Sequence, residues 1–156
     1  MTQTEPSIQP MIGLIGGSGL YDMEGLEDRR WVKVHTPWGD PSDEILTGRL
    51  YGVPCAFLPR HGRGHRVSPT HINYRANIDV LKRCGVTDVI ALSAIGSLNE
   101  AMKPGHFVAV DQFIDRTTSR AGSFFGEGIV AHVSLADPVC PRLSAGLADA
   151  AAGEGA

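Results

Sequence analysis

The chain has 156 residues, 42% of them apolar and 20% charged, with 14 Lys and Arg set against 17 Asp and Glu for a net charge of −3. That length suits one domain with a sizeable core, and the absence of a basic excess argues against a nucleic-acid partner. No apolar run approaches the roughly 20 residues that a membrane span needs, and the first residues lack the plan of a signal peptide, so the expected setting is cytoplasmic. Three scattered cysteines, Cys55, Cys84 and Cys140, fit a reduced chain better than a disulfide framework.

Residues 1–10 (MTQTEPSIQP) read as a disordered lead-in. Residues 11–16 (MIGLIG) predict a buried strand that ends in a glycine turn. Residues 30–35 (RWVKVH) alternate and predict a second strand; residues 36–42 (TPWGDPS) are loop punctuation. Residues 44–50 and 53–58 flank Tyr51-Gly52 and predict a hairpin. Residues 59–69 (PRHGRGHRVSP) hold two glycines between prolines and cannot be regular. A helix is predicted over 72–84, where Ile72, Ala76, Val80 and Cys84 recur at four-residue spacing, with Gly85 as its stop. Residues 88–93 (DVIALS) predict a buried strand running into AIGSLNE, and residues 107–111 (FVAVD) a further strand. Residues 141–152 predict a helix with proline at its start. Strands alternating with helices point to an α/β fold. In such sheets ligands collect beyond the carboxyl ends of strands, so the loops after residues 16 and 93 are candidates for one shared site.

Three segments carry donors for an anion. The first is GGSG, with Ser18; it matches neither a Walker loop nor a dinucleotide fingerprint. It reads either as a backbone nest for an anion or as an ordinary strand–loop turn. The second is PRHGRGHR, which crowds Arg60, His61, Arg63, His65 and Arg66 into seven positions. Arginine forks suit phosphate oxygens, although a solvated surface loop has the same composition. His61 and His65 are four apart, but that spacing makes a metal pair only on a helix, which Gly62 and Gly64 oppose. The third is SAIGS, with Ser93 at a strand end. His35, His71 and His106 are taken as structural. These residues together describe a binder of phosphate or of a phosphorylated ligand, with no obvious nucleophile.

The stretches IGLIGGSGLYD, TPWGDPSD, LPRHGRGHRVSPTHINYRANIDVLKRCGV, SAIGSL, KPGHFVAVDQFIDRTTSRAGSFF and ADPVC cover nearly the whole chain after the lead-in. Together they resemble the 5′-methylthioadenosine phosphorylase family of the trimeric purine nucleoside phosphorylase superfamily. The resemblance implies an α/β fold with a mixed central sheet flanked by helices. It makes residues 11–156 the N-terminal part of a single nucleoside phosphorylase domain, truncated at the C-terminus. It implies phosphorolysis of S-methyl-5′-thioadenosine to adenine and S-methyl-5-thioribose 1-phosphate, with inosine, guanosine or methylthioinosine as alternative substrates. Inorganic phosphate would be the co-substrate, with no metal and no other cofactor, and the full-length family is homotrimeric. By this resemblance the phosphate site comprises Ser18, Arg60, His61, Ser93 and the backbone of Ala94. His132 matches a histidine that reaches across the subunit interface toward the neighbour's 5′ group. Ile95 stands where some family members carry a cysteine.

The family's acidic purine loop, its methionine-containing ribose segment and its phosphate-site threonine do not occur in these 156 residues. No residue is assigned as the acid that protonates the purine; Asp111 or Asp115 as a substitute has no spacing argument behind it. The expectation for the isolated chain is therefore no useful turnover. A catalytically incompetent phosphate-binding fragment and a nucleoside hydrolase remain as alternatives.

Overall fold

Apolar runs and tight turns set out the architecture of this computed structural model, which describes residues 9–126 and 128–154. Most of the lead-in expected over residues 1–10 lies outside the described residues. The chain divides into two units, one extending to Ala94 and including Ala121–Ser123, the other formed by Ile95–Arg120 and the residues from Phe124 onward.

The first unit is a five-stranded mixed sheet. Its strands are β1 (Ile12–Gly16), β2 (Leu26–Val32), β3 (Ile45–Leu50), β4 (Val53–Pro59) and β5 (Asp88–Ala91), in the order β2-β3-β4-β1-β5. β1 pairs in parallel with both β4 and β5, placing Ile12 opposite Cys55 and Asp88. β3 pairs antiparallel with β4, and β2 with β3. The hairpin between β3 and β4 turns at Tyr51 and Gly52, both left-handed with φ of 48° and 78°. That is the geometry a two-residue hairpin favours.

β4 shows why the sheet sits at the centre of a core. Successive side chains of a strand point to opposite faces. Ala56 and Leu58 pack on one side with Ile45, Val80 and Leu81; Cys55 and Phe57 pack on the other with Leu26 and Leu46. A strand buried on both faces needs an unbroken apolar run, and VPCAFLP supplies one.

Helix α1 (Tyr74–Arg83) connects β4 to β5 and contributes Val80 and Leu81 to the first of these clusters. It starts two residues later than the periodicity predicts, because the Asn73 side chain caps it by accepting from the Ala76 backbone N–H at 3.2 Å. Gly85, with φ of +89°, follows the helix as expected.

Two strand expectations are corrected. The strand predicted over 30–35 spans Leu26–Val32 instead. An irregularity between Glu27 and Arg30, with Asp28 at φ of 52°, breaks the alternation that would have marked its start. Residues 107–111 are not a strand, and Phe107, Val108 and Val110 are exposed. Alternation makes a strand only where a neighbour completes the ladder. Among the described residues of the second unit, the bridge between Gly126 and Ile129 is isolated, and no ladder reaches 107–111. The regular element of that unit is α2 (Pro141–Gly153), with proline in its first turn.

Candidate functional site

Three loops leave the carboxyl ends of three adjacent parallel strands. Gly16 ends β1, Pro59 ends β4, and Ala91 ends β5, with Gly16 registered on Pro59 and Ile15 on Ala91. Backbone hydrogen bonds carry the pairing one step further: the Arg60 N–H donates to the Gly16 carbonyl at 3.0 Å, and the Leu92 N–H to the Ile15 carbonyl at 2.8 Å. The glycine loop, the basic loop and the Ser93 loop are therefore neighbours by sheet register.

Side chains then join two of the three loops. Arg60 Nη1 donates to Ser93 Oγ at 2.6 Å, across 33 residues of sequence. Arg60 Nε donates to His61 Nε2 at 3.3 Å, and His61 Nδ1 lies 2.9 Å from the Val67 carbonyl. One tautomer satisfies both contacts: neutral His61 with its proton on Nδ1, donating to Val67 and accepting from Arg60. The His61 and His65 rings stack with centroids 4.5 Å apart.

The charge distribution in this loop is unequal. Arg63 and Arg66 both pair with Asp43, at 2.8 and 3.3 Å, and Arg63 pairs also with Glu44 at 2.9 Å. Arg60 has no carboxylate partner among the described residues; its partners are a hydroxyl and an imidazole. Its positive charge is not offset by a carboxylate among those residues. Guanidinium–oxyanion contacts are among the stronger hydrogen bonds in proteins.

Local sequence explains the backbone. Gly16 packs so closely on Leu20 that a Cβ there would come within 2.0 Å of the Leu20 side chain. Gly62 and Gly64 take φ of 70° and 75°, which folds the basic loop back on itself. Ser18 opens a single 3₁₀ turn, Ser18–Tyr21, directly after Gly17; the hydroxyl role expected of it concerns a side chain outside the description.

Arg60, His61 and Ser93 are thus brought together; Ala94 follows Ser93 in the chain, and Ser18 lies two residues beyond the end of β1. His132 belongs to the second unit, where it is exposed. Asp115, in the same unit, accepts from the Thr117 N–H at 2.9 Å and its hydroxyl at 2.7 Å. Those bonds hold its carboxyl below the usual value, the wrong direction for a proton donor to a purine.

Sequence reasoning missed Asp43 and the buried pair behind it. Asn77 Oδ1 accepts from the Ser42 N–H at 2.8 Å, and Asn77 Nδ2 donates to Ser42 Oγ at 3.0 Å. The available signal was the acidic pair Asp43-Glu44 following the TPWGDPS loop, in a chain whose basic loop had no named counterion.

Strand-end loops of this form, on a mixed sheet with parallel β4, β1 and β5, have a known counterpart. The profile of the phosphorylase superfamily matches residues 11–156, and the chain belongs to that family. Among its relatives is an S-methyl-5′-thioadenosine phosphorylase of Cereibacter sphaeroides, 68% identical over 148 residues, which cover 95% of this chain and 51% of the relative. A protein of the same name from Hyperthermus butylicus is 60% identical over 139 residues, covering 89% of this chain and 51% of its own. The structure of a methylthioadenosine phosphorylase from Schistosoma mansoni in complex with adenine superposes with a TM-score of 0.85 at 40% identity, covering 93% of this chain and 54% of that one. A methylthioadenosine phosphorylase from an antarctic soil metagenomic library gives a TM-score of 0.80 at 50% identity, covering 88% and 48%. The chain spans about half the length of the relatives it matches.

Proposed function

We propose that this chain carries the phosphate-binding half of a 5′-methylthioadenosine phosphorylase. The reaction is phosphorolysis of S-methyl-5′-thioadenosine to adenine and S-methyl-5-thioribose 1-phosphate, with inorganic phosphate as nucleophile and no other cofactor. The observation that carries the reading is the Arg60–Ser93 contact between the ends of β4 and β5, the two parallel strands that flank β1, with the Arg60 charge unmatched by a carboxylate among the described residues. The names of the relatives supply the substrate.

The chemistry suits such a site. Breaking a glycosidic bond builds positive charge on the sugar and negative charge on the departing purine. A phosphate dianion held by Arg60, His61, Ser93, the Ala94 backbone and the Ser18 loop stabilises the sugar cation and then captures it at the anomeric carbon. Holding the nucleophile in place removes an entropic barrier of up to ~7–11 kcal/mol in ideal cases. Donors already aligned need no reorganisation as charge moves. Assembly as a homotrimer, with His132 directed to the neighbour's 5′ group, and a cytoplasmic setting belong to the same proposal.

Calorimetric titration with inorganic phosphate tests the site in the 156-residue chain. Arg60→Ala is expected to weaken binding by about 1.5–3 kcal/mol, the loss of one charge-assisted contact. Equal affinity in both proteins would place Arg60 on an ordinary surface loop. Adenine release from methylthioadenosine separates the enzyme from the phosphate-binding fragment: the chain alone is expected to bind phosphate and release no adenine. A sugar phosphate product in any turning-over form marks phosphorolysis, and free sugar marks hydrolysis.

A further inference from the structure

The loop that carries Arg60 and His61 is held from outside by one buried carboxylate. Between residues 60 and 66 the backbone is left-handed at Gly62, Gly64 and His65, with φ of 70°, 75° and 55°. Such a segment has few internal means of staying in one conformation. It makes three short-range backbone bonds, from Gly62 to the Pro59 carbonyl, His65 to the Gly62 carbonyl and Val67 to the His61 carbonyl, at 2.9, 3.0 and 2.9 Å. Asp43 supplies what is missing. Its side chain is 1% exposed and accepts from the Arg63 backbone N–H at 2.6 Å, from Arg63 Nε at 3.2 Å and from Arg63 Nη2 at 2.8 Å. Arg63 is also laid over the Trp31 ring, 4.0 Å from its centroid.

The segment carrying Asp43 is itself braced. Asn77 of α1 holds both the N–H and the hydroxyl of the neighbouring Ser42. The Ser42 carbonyl lies so close to Gly62 that a Cβ at Gly62 would approach it to 2.9 Å. A continuous set of contacts therefore runs from α1 through Ser42 and Asp43 to Arg63, three residues from Arg60.

We infer that Asp43 is a positioning residue for the phosphate site: by binding the backbone and guanidinium of Arg63 it keeps the 60–66 loop folded so that Arg60 and His61 stay against Ser93. Asp43 has a second effect. By pairing with Arg63 and Arg66 it satisfies the two arginines that do not face Ser93 and leaves the Arg60 charge for the anion. This role deepens the phosphate reading above and rests on it, whereas the anchoring of the loop is measurable without phosphate.

The test uses the 156-residue chain, with inorganic phosphate as probe and amide hydrogen exchange of Arg63 as an independent readout. Asp43→Asn and Arg63→Ala are each expected to lower phosphate affinity about tenfold or more, the scale of one charged hydrogen bond. Exchange at the Arg63 amide accelerates by a similar factor in Asp43→Asn. Arg63→Lys, which keeps a charged donor, recovers part of the affinity lost in Arg63→Ala. Val80→Ala, a cavity in the core of α1, lowers the unfolding midpoint and leaves phosphate affinity unchanged in the folded chain. Unaltered exchange at Arg63 in Asp43→Asn, or an equal affinity loss in Val80→Ala, overturns the inference. The Arg63 side chain is 39% exposed, so Arg63→Ala opens no buried cavity and reads the same link if Asp43→Asn fails to fold. Failure of the unaltered chain to bind phosphate would remove the site reading above, and the exchange result would then decide the role of Asp43 alone.

Discussion

Asp43 sits where two opposed effects meet. Burial pushes its carboxyl toward the neutral form, but the Arg63 side chain and the backbone N–H groups of Arg63 and Glu44 outweigh this and hold its pKa below the usual carboxylate value. The Arg63 guanidinium is correspondingly pushed up, chiefly by its hydrogen bond to Asp43. A carboxyl with a depressed folded pKa binds fewer protons folded than unfolded. Its stabilisation is complete above the unfolded value, about 3.9, and is lost as pH falls through the lower folded value. The charges facing it are Arg63 and Arg66, with Glu44 on the same arginine and Lys33 and Asp40 lining the same cleft. Urea unfolding between about pH 6 and pH 2 is expected to show stability falling with acid, and a shallower fall in Asp43→Asn. Identical slopes in the two proteins would mean that Asp43 titrates alike folded and unfolded. The glycines of the same loop make a matched pair. Gly64→Ala meets nothing within 4 Å and carries only the left-handed penalty, about 1–2 kcal/mol. Gly62→Ala adds the collision with the Ser42 carbonyl, so its unfolding free energy is expected to fall further than that of Gly64→Ala.

Elements whose signals were local could be read from the sequence. The β3–β4 hairpin was legible because Tyr51-Gly52 suits a left-handed turn between two apolar runs, and α2 because proline opens it. Ser93 was legible from its strand end, where ligands collect, and Arg60 and His61 from the donors crowded into residues 59–66, while their meeting in one place was implied by the family resemblance. Elements shaped by distant partners were not legible. The start of β2 is obscured by its irregularity at Asp28, and the anchoring by Asp43 depends on a partner 20 residues away. α1 shows both kinds of signal. Its spacing marked the helix, but its start depends on Asn73, which also donates through Nδ2 to the Trp38 carbonyl at 2.8 Å. Asn73→Ala removes both contacts, and chemical denaturation is expected to show a loss of about 1 kcal/mol or somewhat more. A loss near zero would mean that the helix start is held by packing alone.

Protection of the chain as a whole should follow the distribution of paired backbone. In the first unit, β4 lies between β3 and β1, and Ala56, Phe57 and Leu58 are almost wholly buried. In the second unit the stretch 107–114 has no regular structure, and Phe107 and Ile114 are 70% and 89% exposed. Local opening free energies in a protein run from near zero for such stretches up to the global value for core strands. Amide hydrogen exchange followed by mass spectrometry is therefore expected to separate the two units. Peptides covering β1 and β4 should be the slowest to exchange, while peptides over 107–114 exchange near the rate of an unstructured chain. Saturating phosphate stabilises whatever binds it by mass action. The added protection should therefore appear in peptides around Gly16, Arg60 and Ser93, and in the strands they terminate. Protection over 107–114 equal to that of β4, without ligand, would require backbone pairing there that the fold described above does not contain.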